Sequence, residues 1–193
     1  MLDAATASWE EVAAAVSLLS LLTAFGLMQH GVYPNLAALF RKGFYQLISG
    51  HTTTGFMSVY ARQFYLEWGD TALFAMILAM LFGGSACSTA GGFKEMRIGI
   101  IWKAIRAEIR KYTLPESRLK ETRIHHIRDM ILTDDMVRSA FVIVALYLIA
   151  FVAGTVAGLA AGFPAAQAAF ESASATGNVG LSIGVASPSN PAY

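Results

Sequence analysis

The stretch ISGHTTTGFMS, residues 48–58, contains no Asp, Glu, Lys or Arg and runs three threonines directly into Gly55. It lies between two apolar segments. It is therefore either a turn at the surface or a stretch of backbone whose carbonyl groups face something other than water. The backbone groups of a surface turn rich in Ser, Thr and Gly can form hydrogen bonds with water. A buried loop needs other partners for these groups. The flanking segments decide between the two.

The flanking sequence is typical of a membrane protein. Of 193 residues, 55% are hydrophobic and 14% are charged, whereas soluble domains contain about 25% charged residues. A spanning helix needs about 20 predominantly apolar residues. Three tracts without charged side chains meet that requirement, namely residues 12–40, 71–93 and 139–170. We therefore predict an all-α integral membrane protein.

The distribution of basic residues predicts the orientation of the chain. Eleven of the fourteen Lys and Arg residues lie between Lys94 and Arg138. Loops rich in these residues stay on the cytoplasmic side of a membrane, so we place this basic segment in the cytoplasm. Residues 31–62 and 162–193 are then expected to lie outside the membrane or to re-enter it from outside.

A weak internal repeat relates the two halves of the chain at an offset of 125 residues. Each copy consists of a long apolar segment, a break containing a proline, a short amphipathic segment, and small polar residues that end in glycine. The short segments, residues 36–49 and 165–175, cannot span a bilayer, so we predict two re-entrant helices buried in protein or lining a watery cavity. The aligned pairs are Tyr45 with Phe170, Ser49 with Ser174, Gly55 with Gly180 and Phe56 with Leu181.

A re-entrant helix that ends inside the membrane creates a site for a cation. Its C-terminal carbonyl groups lack helical partners, and the negative end of its dipole points into the membrane. The residues from Thr52 to Gly55 can then align successive carbonyl oxygens that replace the water around an ion, as in potassium-channel filters. The alternative is the surface turn.

The glycine-rich loop, GGSACSTAGG at residues 83–92, interrupts the second apolar tract. Each glycine costs a helix about 1 kcal/mol relative to alanine, so its four glycines predict an unwound, flexible segment within the membrane. We interpret it as a movable gate, with a small-residue helix-packing face as the alternative. Lys94, two residues after the loop, either opposes cation passage or extends to the cytoplasmic interface.

Enzymatic and metal-binding interpretations find little support. The glycine-rich loop lacks the order of a phosphate-binding loop, because Phe93 separates Gly92 from Lys94. His125 and Asp129 share one face if the basic segment is helical, but no third ligand is evident, so a solvated helix is expected there. The single cysteine, Cys87, excludes an intrachain disulfide. No cofactor, transition metal or nucleic-acid partner is expected.

The same residues resemble the TrkH/KtrB/HKT superfamily of potassium transporters. SGHTTTGF at 49–56 is similar to its third pore loop, GGSACSTAGGFK at 83–94 to its intramembrane gating loop, and SATGNVGLS at 174–182 to its fourth pore loop. Members contain four M1–P–M2 units (two helices flanking a re-entrant pore loop) around one pore. Cys87 stands where the family usually has glycine.

This resemblance implies K⁺ as the transported ion and assigns the site residues. The first filter loop comprises Thr52, Thr53, Thr54 and Gly55, and the second comprises Gly177, Asn178, Val179 and Gly180. The gate comprises Gly83, Gly84, Ser85, Ala86, Cys87, Ser88, Thr89, Ala90, Gly91 and Gly92, with Lys94 at its end. The alternatives are a sodium-permeable member, a non-conducting subunit of a transporter assembly, and a membrane enzyme, for which Lys94, Glu171 and His51 offer no paired geometry.

The resemblance also implies an incomplete pore. Residues 1–111 correspond to a third unit with a broken M2 helix, 112–137 to a cytoplasmic basic connector, and 138–193 to a fourth unit without its M2. We expect the remaining units to come from a longer form of this chain or from a companion chain. Further implied features are a homodimer, a cytosolic TrkA/KtrA-like nucleotide-binding subunit, and a multi-pass location in the cell (inner) membrane.

Overall fold

The computed structural model describes residues 18, 22–24, 26–28, 31–33, 35–84, 89–113, 123–126 and 128–185. Most of these residues are helical, in agreement with the predicted helical class. The described residues from 18 to 28 belong to helical backbone and fall within the first predicted apolar tract.

The first predicted re-entrant segment is helical up to His51 and consists of three parts. α1 (Leu36–Leu39) begins after Asn35, whose side-chain oxygen accepts a hydrogen bond of 2.8 Å from the Ala38 amide. Asparagine is among the preferred residues at this position because it pairs an amide that the helix leaves free. A π-helical turn (Phe40–Phe44) and α2 (Tyr45–His51) complete the segment.

The core of the described structure surrounds a short apolar helix. α3 (Ala61–Glu67) leads into α4 (Gly69–Phe82). α4 has 14 residues, so it is about 21 Å long, which is less than the ~30 Å hydrocarbon thickness of a bilayer. Most of its apolar side chains are buried, although Phe74 is exposed. The buried ones pack against residues of α2 and of the last helix, including Leu47 and Phe170.

The basic segment contains a helix followed by a β-hairpin. α5 (Glu95–Thr113) is followed by β1 (Arg123–His126) and β2 (Arg128–Ile131), which pair antiparallel. The expected solvated helix around His125 was therefore wrong, because the backbone there pairs across a ladder in which His125 lies opposite Asp129. This hairpin is the one departure from an all-helical architecture among the described residues.

The last two helices pack closely against each other. α6 (Asp134–Ala160) begins four residues before the expected residue 138, and α7 (Ala165–Thr176) follows Pro164. α6 has 27 residues, a length of about 40 Å. Within the described part of the chain, it alone is long and apolar enough to cross a membrane. Many of its large apolar side chains are exposed, including Phe141 and Ile149, which suits contact with lipid.

Candidate functional site

The two predicted filter loops leave their helices with matching backbone hydrogen bonds. In each case, three successive amides after the helix donate to carbonyl groups of its last turn, which fixes the path of the chain as it leaves the helix. The donors and acceptors of the two loops are related by the same 125-residue offset. They are Thr52 to Ile48 and Gly177 to Ala173 (both 2.8 Å), Thr53 to Gly50 (3.2 Å) and Asn178 to Ala175 (3.1 Å), and Thr54 to Ser49 (3.0 Å) and Val179 to Ser174 (2.9 Å).

The loops also share an unusual backbone conformation. Thr53 and Asn178 both have φ of 54°, while Gly55 and Gly180 have φ of 76° and 85°. Positive φ is uncommon for residues with a side chain, and glycine adopts it most readily. Two loops with the same sequence spacing therefore adopt the same alternation of conformations, which turns successive carbonyl groups in different directions from those of a helix.

The loops meet each other in space. A Cβ atom added to Gly55 would overlap the carbonyl oxygen of Val179, so the backbone of the first loop lies directly against that of the second. Each loop also stands at the C-terminal end of its helix, α2 or α7, where the helix dipole favours positive charge.

The chemistry of the described loop residues is that of neutral oxygen ligands. Their side chains include threonine hydroxyls and an asparagine amide but no carboxylate. Among the described residues, no group of three His, Cys, Asp or Glu side chains could hold a metal ion. Neutral oxygen ligands of this kind suit a weakly held monovalent cation.

The two ends of the glycine-rich loop lie close together, between the two halves of the broken helix. α4 ends at Phe82 and α5 begins at Glu95. The neck of the loop is closed by a hydrogen bond of 2.9 Å from the Phe93 amide to the Leu81 carbonyl. A Cβ atom on Gly83 would overlap the carbonyl oxygen of Gly91, so the two strands of the neck are in direct contact.

The described end of the glycine-rich loop reaches both filter loops. The Gly91 amide donates a hydrogen bond of 3.2 Å to the Thr53 hydroxyl. A Cβ atom on Gly91 would overlap the carbonyl oxygen of Gly177. Gly83, Gly84, Thr89, Ala90, Gly91 and Gly92 are described, whereas Ser85, Ala86, Cys87 and Ser88 lie outside the described residues. The three sequence motifs therefore converge through Gly91.

Comparison with known proteins assigns the family. The family model for TrkH, described as a cation transport protein, matches residues 12–192. This chain belongs to the TrkH family. As a member, it is a membrane protein.

Two curated relatives of this TrkH-family chain support the assignment. It is 32% identical over 148 residues to an uncharacterized cation transporter of Methanocaldococcus jannaschii, covering 76% of this chain and 30% of the relative. It is 29% identical over 127 residues to the Trk system potassium uptake protein TrkG of Escherichia coli K12, covering 66% of this chain and 24% of TrkG. The chain thus spans less than a third of the length of these relatives.

In this TrkH-family chain, His51 lies behind the first filter loop. Its ring is buried, with Nδ1 3.4 Å from the Ala79 carbonyl oxygen and Nε2 3.2 Å from Oε1 of Glu95. Both ring nitrogens of His51 are thus directed at protein partners. Glu95 follows Lys94, which is half-buried and has φ of 65°. The end of α2 is thereby joined to the start of α5.

Sequence reasoning missed the role of two polar side chains next to the filter loops, Gln46 and Glu171. Each accepts a hydrogen bond from a backbone amide 12 residues further along the chain. The signal was present in the sequence, because the two residues are 125 positions apart. The pair is not apparent because the aligned residues elsewhere in the repeat are similar in polarity, whereas an amide and a carboxylate differ in charge.

Proposed function

We propose that this chain forms part of a pore through which potassium ions enter the cell, with the two filter loops as two of its four walls. The observation that carries this proposal is the direct contact between two loops of matching backbone geometry, each placed at the C-terminal end of a short helix. Such an arrangement concentrates partly negative oxygens where an ion has lost its water.

The proposed driving force is the membrane potential. Moving one charge inward gains about 2.3 kcal/mol per 100 mV. The filter then needs to bind the ion strongly enough to replace its hydration, yet weakly enough to release it. Neutral oxygens meet that requirement better than a ring of carboxylates, and the described loops provide neutral oxygens.

The glycine-rich loop is the proposed gate. Its described end contacts Thr53 and Gly177 through Gly91, so it lies beside both filter loops. A loop in that position can obstruct the path of an ion leaving the filter. The positive charge of Lys94, two residues after the loop, is proposed to oppose the passage of cations.

The proposed assembly extends beyond this chain. Because the chain spans less than a third of its relatives, two further M1–P–M2 units and a final M2 helix are proposed to complete the pore. The proposal includes re-entrant pore helices, a multi-pass location in the cell (inner) membrane, a homodimer, and a TrkA/KtrA-like cytosolic subunit that contacts the basic segment.

The test is uptake of Rb⁺, a potassium substitute, by cells that lack their own potassium uptake. The chain is expressed within the longer form, or together with the companion chain, that supplies the remaining units. Gly55→Ser and Gly180→Ser are compared with wild type. We expect Gly55→Ser to abolish uptake and Gly180→Ser to reduce it. Gly99→Ala serves as the control, because Gly99 lies within α5 with open space around it. Normal uptake by both serine variants would reject the assignment of the filter loops, and a preference for Na⁺ would favour the sodium-permeable alternative.

A further inference from the structure

We infer that Gln46 and Glu171 are positioning residues that fasten the chain on the far side of each filter loop. This inference rests on the proposed function of the loops, and it assigns a role to two side chains that the family assignment leaves unexplained. Each side chain projects from the short helix before a loop and holds the backbone after it. The loop is thereby attached at both ends to the same helix.

Gln46 makes the first attachment. Its side chain is fully buried. Its Oε1 accepts hydrogen bonds from the Ser58 amide (2.9 Å) and the Ser58 hydroxyl (3.2 Å). Its Nε2 donates to the Phe56 carbonyl (3.3 Å), which also accepts a bond of 2.7 Å from the Ser49 hydroxyl. Both the oxygen and the nitrogen of the amide group therefore form hydrogen bonds, and these bonds hold the residues after Gly55 in place.

Glu171 makes the corresponding attachment in the second copy. Its Oε1 accepts hydrogen bonds from the Ile183 amide (2.9 Å) and the Ser182 hydroxyl (2.7 Å). Gln46 and Glu171 are 125 residues apart, and so are Ser58 and Ile183. The same bond, from a side-chain oxygen to the amide 12 residues later, therefore recurs at equivalent positions although the side chains differ.

The second attachment matters because the filter-loop backbone lies between it and the end of the helix. Each loop contains residues at positive φ, and its helix end holds the first three amides, with one longer bond of 3.4 Å from the Gly55 amide to the Ser49 carbonyl in the first loop. Without a second attachment, the backbone that follows these amides is free to rotate. A filter distinguishes K⁺ from Na⁺ by how its oxygens surround the ion, so loss of the attachment should reduce the discrimination between ions before it abolishes passage.

The two sites differ in the hydrogen-bonding groups that they require. Exchanging glutamine and glutamate should therefore have different effects at positions 46 and 171. At position 171, glutamine retains an acceptor oxygen of the same shape for both donors. At position 46, glutamate loses the donor to Phe56 and places a charge where no water reaches, which is costly. Glu171→Gln should therefore be tolerated, whereas Gln46→Glu should not, although both changes exchange the same two groups.

Two measurements test the inference. The first is the ratio of Rb⁺ uptake without and with excess Na⁺, per amount of inserted protein, in the complete transporter assembly. We expect Glu171→Gln to stay within about twofold of wild type, and Glu171→Leu and Gln46→Glu to lose about tenfold in selectivity, the size expected for one lost bond to a buried group. Gln167→Leu is the control, since Gln167 lies one turn earlier on α7 and makes no hydrogen bond with the described residues.

The second measurement is hydrogen exchange of the Ser58 and Ile183 amides in lipid nanodiscs, which does not depend on transport. We expect exchange at Ile183 to be about ten- to hundredfold faster in Glu171→Leu and near normal in Glu171→Gln. Unchanged exchange in Glu171→Leu, or equal selectivity of Glu171→Gln and Gln46→Glu, would overturn the inference. If Glu171→Leu loses protection at Ile183 but the wild-type assembly moves no cation, the attachment exists and the proposed function is rejected. If Glu171→Leu does not accumulate, the contrast between Glu171→Gln and Gln46→Glu decides.

Discussion

Individual residues in the filter loops carry two separate constraints, one on backbone conformation and one on space. Gly55 is subject to both, since it has φ of 76° and faces the Val179 carbonyl at close range. Gly180 has a similar φ of 85°, but a Cβ atom there would meet nothing within 4 Å. The two glycines therefore occupy equivalent positions but should differ in how well they tolerate an added side chain.

This difference predicts a graded response to alanine. Gly180→Ala should cost about 1–2 kcal/mol of backbone strain alone and retain part of the Rb⁺ uptake. Gly55→Ala should abolish uptake, because the added methyl group also displaces the second loop. The measurement is initial Rb⁺ uptake normalised to protein in the membrane. Equal losses in the two variants would show that the close contact at Gly55 does not form in the working protein.

At the scale of the elements, close packing of α6 and α7 positions the second loop. Added Cβ atoms at Gly154 and Gly158 would lie 2.5 Å from the Ser172 hydroxyl oxygen and 2.8 Å from the Ala168 Cβ. The Ser172 hydroxyl also donates to the Phe151 carbonyl at 2.7 Å. Two glycines four residues apart on α6 thus allow α7 to pack closely against it.

Gly158→Leu should consequently force α6 and α7 apart. We expect the midpoint of thermal unfolding in detergent to fall by roughly 3–10 °C, the effect of about 1–3 kcal/mol of overpacking in a protein of this size. Ala153→Leu is the matched control, because Ala153 is an exposed residue of the same helix. A similar decrease in both variants would mean that the change acts on α6 itself and not on its contact with α7.

The pair formed by His51 and Glu95 joins the end of α2 to the start of α5 across the glycine-rich loop. Because both side chains are largely shielded from solvent, we expect His51→Gln and Glu95→Gln to be coupled by about 1–2 kcal/mol in a double-mutant cycle on unfolding. The exposed pair of Lys111 and Glu108 is the control, and Glu108→Gln should leave stability unchanged. Additive effects of the two substitutions would contradict a direct interaction.

At the scale of the whole molecule, the features that local chemistry controls could be predicted from the sequence. Glycines and prolines marked where helices stop, and the helical interruption lies within residues 83–94. The approach of Gly91 to Gly177 could not be predicted, because it depends on how distant segments pack. The hairpin at His125 was missed because helical spacing and hairpin pairing both bring residues four apart together, and only the structure separates them.

The orientation of α6 in the membrane provides a further prediction. In a Cys87→Ser background, cysteines are introduced at the exposed Asp135 and Ala161, near the two ends of the helix. A membrane-impermeant thiol reagent should label Ala161→Cys in intact cells and label Asp135→Cys only after permeabilisation, since the basic segment before α6 is expected inside. The Cys87→Ser protein without added cysteine should remain unlabelled. Labelling of both sites in intact cells would contradict a spanning α6.

The closed neck of the glycine-rich loop has a mechanical consequence. Because the amide of Phe93 is bonded to the carbonyl of Leu81, the ends of the two helix halves are held together regardless of the shape of the chain between them. If the glycine-rich loop is the gate that we propose, a change in its path leaves α4 and α5 in place. Switching would then break local contacts, such as the one between Gly91 and Thr53, without moving whole helices through lipid.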